Sequence, residues 1–170
     1  MNASERRELI LTQLSGADKP ISASALAEEC HVSRQLIVGD VAMLRATGHD
    51  IIATPRGYIL GNSADEGVLC RMACRHNAEQ MQEELNAIVD QGCHVVDVMV
   101  DHPLYGQLTG HLDLKSRYDV QAFIDKAQSA DAQPISVLTA GIHLHTVRCP
   151  DEAACVRVRQ ALAALGVLVE

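Results

Sequence analysis

Ser22-Ala23-Ser24-Ala25-Leu26-Ala27-Glu28-Glu29-Cys30-His31-Val32-Ser33-Arg34-Gln35 decides the fold of the first third of this chain, because it reads as a short helix, a tight turn and the capped start of another helix. Ser22 or Ser24 offers a hydroxyl oxygen to an amide that the first helical turn leaves unpaired, and Leu26, Ala27 and Cys30 follow at helical spacing. His31-Val32 interrupts that spacing, and Ser33 caps a third helix from Arg34 to about Thr47. Two short helices joined this tightly are a helix-turn-helix. Upstream, Ser4 to Leu14 forms a first helix with Leu9, Ile10 and Leu14 on its apolar face, ended by Ser15-Gly16. Downstream, Ile51-Ile52-Ala53 and Tyr58-Ile59-Leu60 flank Thr54-Pro55-Arg56-Gly57, the pattern of a hairpin with a cation at its tip. Residues 1–61 therefore read as a winged helix-turn-helix.

The segment Gly61-Asn62-Ser63-Ala64-Asp65-Glu66-Gly67 is small, polar and aperiodic, the composition of a linker. Residues 67–170 form a second domain. Its expected elements are a strand from Val68 to about His76, a helix from about Ala78 to Asp90, a strand from His94 to Val100, and a short strand near Gln107 to Leu112. A helix from Tyr118 to Ala130, strands around Ile135 to Leu138 and Ile142 to Arg148, a helix from Asp151 to Leu165 and a terminal strand Val167-Leu168-Val169 complete it. Strands and helices mixed in this order predict an α+β fold with one sheet and helices on one face.

Composition narrows the function classes. The chain has 48% hydrophobic residues and only 2% aromatic ones, so its cores rest on Leu, Ile, Val and Ala. The net charge of −8 argues against a generic polyanion binder, yet residues 1–60 carry six Lys/Arg against seven acids, and the remainder eight against fifteen. The acidity belongs to the second domain and leaves local basic patches of the first free to meet phosphate. The six cysteines are irregularly spaced, and no secretion signal or bilayer-length apolar run accompanies them. The expectation is a cytoplasmic chain without membrane partners, with reduced thiols that serve as small core residues. No nucleophile elbow, phosphate-binding loop or dinucleotide fingerprint is present.

Two constellations carry chemistry. In a winged helix-turn-helix the start of the third helix enters the major groove, so Ser33, Arg34 and Gln35 are the candidates for reading bases: Gln matches adenine and Arg matches guanine or phosphate. Arg56 at the wing tip is placed for phosphate or the minor groove. In the second domain, His143 and His145 stand two apart on one strand, hence on one face, and can chelate one ion. His76 at a strand end and Glu84 in the following helix are the further donors, although spacing alone favours Glu84 as a solvated helix carboxylate beside Glu79 and Glu83. Three imidazoles and a carboxylate suit one divalent transition ion per chain, such as zinc, nickel, iron or manganese, with positions left open. His102 reads as a turn residue before Pro103.

The sequence resembles the niacin-responsive transcription repressors, which join a winged helix-turn-helix to a three-histidine (3H) domain, over essentially its whole length. The likeness rests on Val32-Ser33-Arg34-Gln35-Leu36-Ile37-Val38-Gly39-Asp40-Val41, on Ile51 to Tyr58, on His76 with Glu83-Glu84-Leu85, on His102-Pro103-Leu104-Tyr105-Gly106, and on Leu138-Thr139-Ala140-Gly141-Ile142-His143-Leu144-His145-Thr146-Val147. It implies a metal site of His76, Glu84, His143 and His145, with nicotinic acid as co-repressor at or near the metal. Operators controlling niacin uptake or NAD synthesis genes are the implied targets. Tyr105 and Arg148 are candidate ligand-binding residues. At Asn77-Ala78 the sequence departs from a Gly-Pro-type helix start. Because one helix-turn-helix reads one half-site, a homodimer on a palindromic operator is expected. The alternatives are a regulator that senses the metal itself and a metal-dependent enzyme acting on a small pyridine carboxylate.

Overall fold

A computed structural model describes residues 1–61 and 67–170; the middle of the expected linker, Asn62 to Glu66, lies outside the described residues. The chain divides into two compact units, Met1–Asp65 and Glu66–Glu170.

The first unit has helices α1 (Ala3–Ser15), α2 (Ala23–Cys30) and α3 (Arg34–Ala46) and the hairpin β1 (Ile51–Thr54) and β2 (Gly57–Leu60). Asn2 caps α1: its side chain accepts from the Ser4 and Glu5 amides while Glu5 reaches back to the Asn2 amide. Ser22 caps α2, and His31 in the left-handed region ends it. Ile10, Leu14, Leu26, Ile37, Val41 and Leu44 form the core. Arg6 is buried on the same face of α1, where its guanidinium pairs with Asp40 of α3, Nη2 to Oδ1 at 3.2 Å. Arg45 ties α3 to the wing through a 2.7 Å hydrogen bond from its Nε to the Ile51 carbonyl. The wing is stitched to the segment before α2 by reciprocal backbone bonds between Ile21 and Tyr58. Gly57 permits this approach, since a Cβ there would lie 2.3 Å from the Ile21 carbonyl oxygen.

The second unit comprises β3 (Val68–Arg75), a 3-10 turn (Ala78–Gln80) leading into α4 (Met81–Val89), β4 (His94–His102), β5 (Gly106–Leu114), α5 (Arg117–Ser129), a 3-10 segment (Ile135–Thr139), β6 (Ile142–Cys149) and α6 (Glu152–Ala164). The strands form one antiparallel sheet in the order β3-β6-β4-β5. Leu85, Ile88, Val120, Ile124, Val158 and Leu162 from the helices meet Met72, Val95, Leu112, Leu114 and Val147 in a single core. A bulge between Val95 and Asp97 shifts the register of β4 against both neighbours.

Three expectations are corrected here. Ile135 to Leu138 winds into a 3-10 segment, because Pro134 precedes it and Ala140 (φ +53°) and Gly141 (φ +89°) reverse the chain directly after it. The terminal strand contracts to one bridge, Leu168 with Cys74, flanked by 2.8 Å bonds from Arg75 N to Val167 O and from Val169 N to Ala73 O. The cysteines are not all isolated thiols, since a disulfide joins Cys70 to Cys155. Their Cα atoms stand 6.5 Å apart because β3 and the start of α6 pack face to face, a proximity that the sequence separation of 85 residues hides.

Candidate metal centre

His143 and His145 point from β6 toward the helix-covered face, where Cys74 and Met72 of β3 lie opposite them. His76 follows the end of β3, and Asn77 caps the turn behind it by accepting from the Glu79 and Gln80 amides at 3.1 and 3.3 Å. The turn so capped leads into α4, where Glu84, in its first turn, enters the core with 1% of its surface exposed. Glu79 and Glu83 are exposed. Gly141 lets β6 begin against the backbone of His76, since a Cβ there would stand 2.4 Å from the His76 carbonyl oxygen.

The four side chains converge. His76 Nε2 lies 2.7 Å from Glu84 Oε2, His143 Nε2 2.9 Å from Oε1, and His145 Nε2 3.2 Å from Oε2. The other ring nitrogens face backbone carbonyls: His76 Nδ1 to Asn77 O at 2.6 Å, His143 Nδ1 to Gly141 O at 2.8 Å, and His145 Nδ1 to Asp97 O at 2.8 Å. A carbonyl only accepts, so each Nδ1 must carry its proton. Three neutral imidazoles would then direct three bare Nε2 lone pairs at a carboxylate, acceptor against acceptor. Only a cation relieves that arrangement, either extra protons on the rings or a metal ion.

Without an ion the protons do this work. Burial disfavours charge on His76 and on His145, but Glu84 outweighs it and raises both above the ordinary imidazole value. Burial likewise opposes ionisation of Glu84, yet the charge of His145 and the hydrogen bonds of all three rings hold its carboxyl well below the usual range. The donor set, three borderline nitrogens and a hard oxygen with second contacts on every ring, fits a divalent transition ion.

Sequence reasoning passed over Cys74 as a weak sulfur candidate, although its thiol, Glu84 and His143 lie within 4.8 Å of one another. The available signal was its position two residues before His76, near the end of the strand that leads into it. The Asp97 carbonyl had no signal, because it depends on the β4 bulge, where the Asp97 carboxylate also accepts from the Thr146 amide at 3.1 Å.

Of the remaining candidates, Tyr105 is 70% exposed in the turn between β4 and β5, its ring beside His102, whose Nδ1 accepts from the Leu104 and Tyr105 amides. Arg148 stands opposite Leu69 on β6. Neither lines the cleft of about 520 Å³ that opens beside His76 between Arg75, Asn77, Ala78, Ser136, Val137 and Gly141. In the first unit Ser33 caps α3 by accepting from the Leu36 amide at 3.3 Å, and Arg34, Gln35 and Leu36 are exposed on its first turn. Arg56 sits partly buried at the wing tip, its amide donating to Thr54 Oγ1.

Comparison with known proteins agrees with this two-part design. Residues 6–59 match a helix-turn-helix domain family and residues 70–170 the 3H domain family. The chain is 41% identical over 166 residues to the probable transcription repressor NiaR of Thermotoga maritima, covering 98% of this chain and 94% of that protein. It is 39% identical over 168 residues to the transcription repressor NadR of Bacillus subtilis, covering 97% and 93% respectively. A DNA-reading unit joined to a 3H domain, aligned end to end with named repressors, makes the chain a regulator rather than an enzyme: it belongs to the NiaR and NadR family of transcription repressors, the niacin-responsive family to which its motifs pointed.

Proposed function

We propose that this repressor holds one divalent transition ion per chain at His76, Glu84, His143 and His145, and that nicotinic acid is its co-repressor, acting on operators of niacin uptake or NAD synthesis genes in the cytoplasm. The observation that carries the reading is the ring of three Nε2 lone pairs around a buried carboxylate, a cluster that ring protons or a central metal ion must neutralise. The cleft beside His76 supplies an adjoining seat for a small planar acid. Arg75 at its edge offers a guanidinium to a carboxylate, and Ala78 and Val137 offer apolar walls to a pyridine ring. A bound ion, when present, would attract the acid's carboxylate or ring nitrogen.

The DNA face in this reading is Ser33, Arg34 and Gln35 with Arg56. The protein acts as a homodimer, each copy taking one half of a palindromic operator. Nicotinic acid can strengthen repression only by binding the DNA-competent state more tightly than the other, and about 1–3 kcal/mol of coupling is enough for a working switch.

The deciding experiment is a calorimetric titration of nicotinic acid into metal-loaded and chelator-treated protein, paired with operator gel shifts of both forms. Tight binding and retarded operator only with metal and nicotinic acid together support the reading. Equal nicotinic acid affinity in the two forms refutes metal-linked sensing.

A further inference from the structure

A second cluster of soft donors stands at the other end of the same sheet face. Cys149 ends β6, Cys70 lies diagonally across from it on β3, and Cys155 closes the first turn of α6. Their sulfur atoms all lie within 4.8 Å of one another. Cys93, just before β4, is 1% exposed and brings its thiol against that of Cys149. Three of the chain's six cysteines thus converge from β3, β6 and α6, with the Cys93 thiol against one of them.

This cluster is distinct from the histidine site. Along the covered face of β6 the order is His143, His145, Val147, Cys149, so Cys149 is about 13 Å from His145 along the strand. Val147, fully buried, fills the space between. We propose that Cys70, Cys149 and Cys155, completed by Cys93, form a second metal site that takes a thiophilic divalent cation such as zinc when the Cys70–Cys155 bridge is reduced.

Geometry and chemistry agree on this. Tetrahedral thiolate coordination at a metal–sulfur distance of about 2.3 Å sets the sulfurs about 3.8 Å apart, inside the 4.8 Å that spans the Cys70, Cys149 and Cys155 sulfurs, and Cys93 approaches from the Cys149 side. The helix N-terminus favours the thiolate charge that such a site concentrates. With the bridge closed, only Cys149 and Cys93 keep free thiols, too few for a closed tetrahedral site. Opening it takes two electrons and two protons from a dithiol reductant, which leaves as its own cyclic disulfide; the cation then displaces the thiol protons to water.

The test uses the full chain carrying Cys74→Ala, so that no thiol at the histidine site contributes. Phosphine-reduced and oxidised samples are freed of metal and titrated anaerobically with cobalt(II). The expected result is one more cobalt per chain in the reduced sample, with sulfur-to-cobalt charge-transfer absorption that zinc bleaches. Cys149→Ser and Cys155→Ser should each abolish the additional ion. Equal cobalt uptake before and after reduction, or charge transfer that survives in both serine variants, would overturn the proposal. Should a serine variant fail to fold by circular dichroism, thiol alkylation of the Cys74→Ala chain replaces it. Zinc must then shield Cys149 and Cys155 from iodoacetamide, and unshielded labelling rejects the site.

Discussion

Glu84 sets the behaviour of the histidine site, because it is an acceptor placed among acceptors in a buried setting. His76 and His145 are raised above 6.5, so what they contribute to metal-free stability is complete below that pH and is lost as pH rises through their raised values. Glu84 is held below 4.5, so its contribution is complete above that pH and is lost on acidification through its depressed value. Chelated protein should therefore melt at lower temperature at about pH 8.5 than at about pH 6. Metal-loaded protein should not, since the ion replaces the protons. Thermal scans of both forms check this, and parallel pH profiles would contradict it. His143→Ala with His145→Ala should leave a folded chain that loses its divalent ion in elemental analysis. Gly141→Ala should weaken metal binding without touching a donor, because the new methyl pushes on the backbone of His76. The histidine pair was legible in the sequence because a period of two fixes its face. Glu84 became distinctive only through the family resemblance, as spacing alone cannot say which helix carboxylate turns inward. Cys74 carried a local signal in its spacing to His76, but its register opposite His143 and the bulge that places the Asp97 carbonyl are not encoded in local pattern.

Helices declare themselves through caps and strands through bounded alternation, and here the first unit shows both. Ser33 is the N-cap of α3, so Ser33→Ala should destabilise that unit by about 1 kcal/mol in denaturant unfolding while leaving the slope of the transition unchanged. Gln35→Ala should cost about 1–3 kcal/mol at a single operator position, whereas Arg56→Ala should weaken binding to all sequences and flatten its salt dependence. Fluorescence anisotropy on operator and scrambled duplexes separates the two, and wild-type behaviour in both variants would remove the DNA face from this surface. The second unit was less legible at element level. Ile135 to Leu138 has the apolar content of a strand, but its ends decide otherwise, and β5 runs to nine residues because Gly106 continues the turn directly into the ladder. The Cys70–Cys155 contact was out of reach, being a product of how α6 crosses β3.

At the scale of the molecule, the proposed coupling between metal, acid and operator must be reciprocal. If nicotinic acid tightens operator binding by some factor, operator DNA must raise nicotinic acid affinity by the same factor. Calorimetry with and without a saturating operator duplex measures both sides of that equality, and a one-sided effect would exclude direct linkage. The Val167–Val169 strip along β3 gives this coupling a local clock. Its two backbone bonds, Arg75 N to Val167 O and Val169 N to Ala73 O, secure the last rung before His76. Anything that fixes His76 also suppresses the opening of that rung. In deuterium exchange the amides of Arg75 and Val169 should slow together when the histidine site is loaded, making a peripheral seam of the sheet a gauge of what its centre holds.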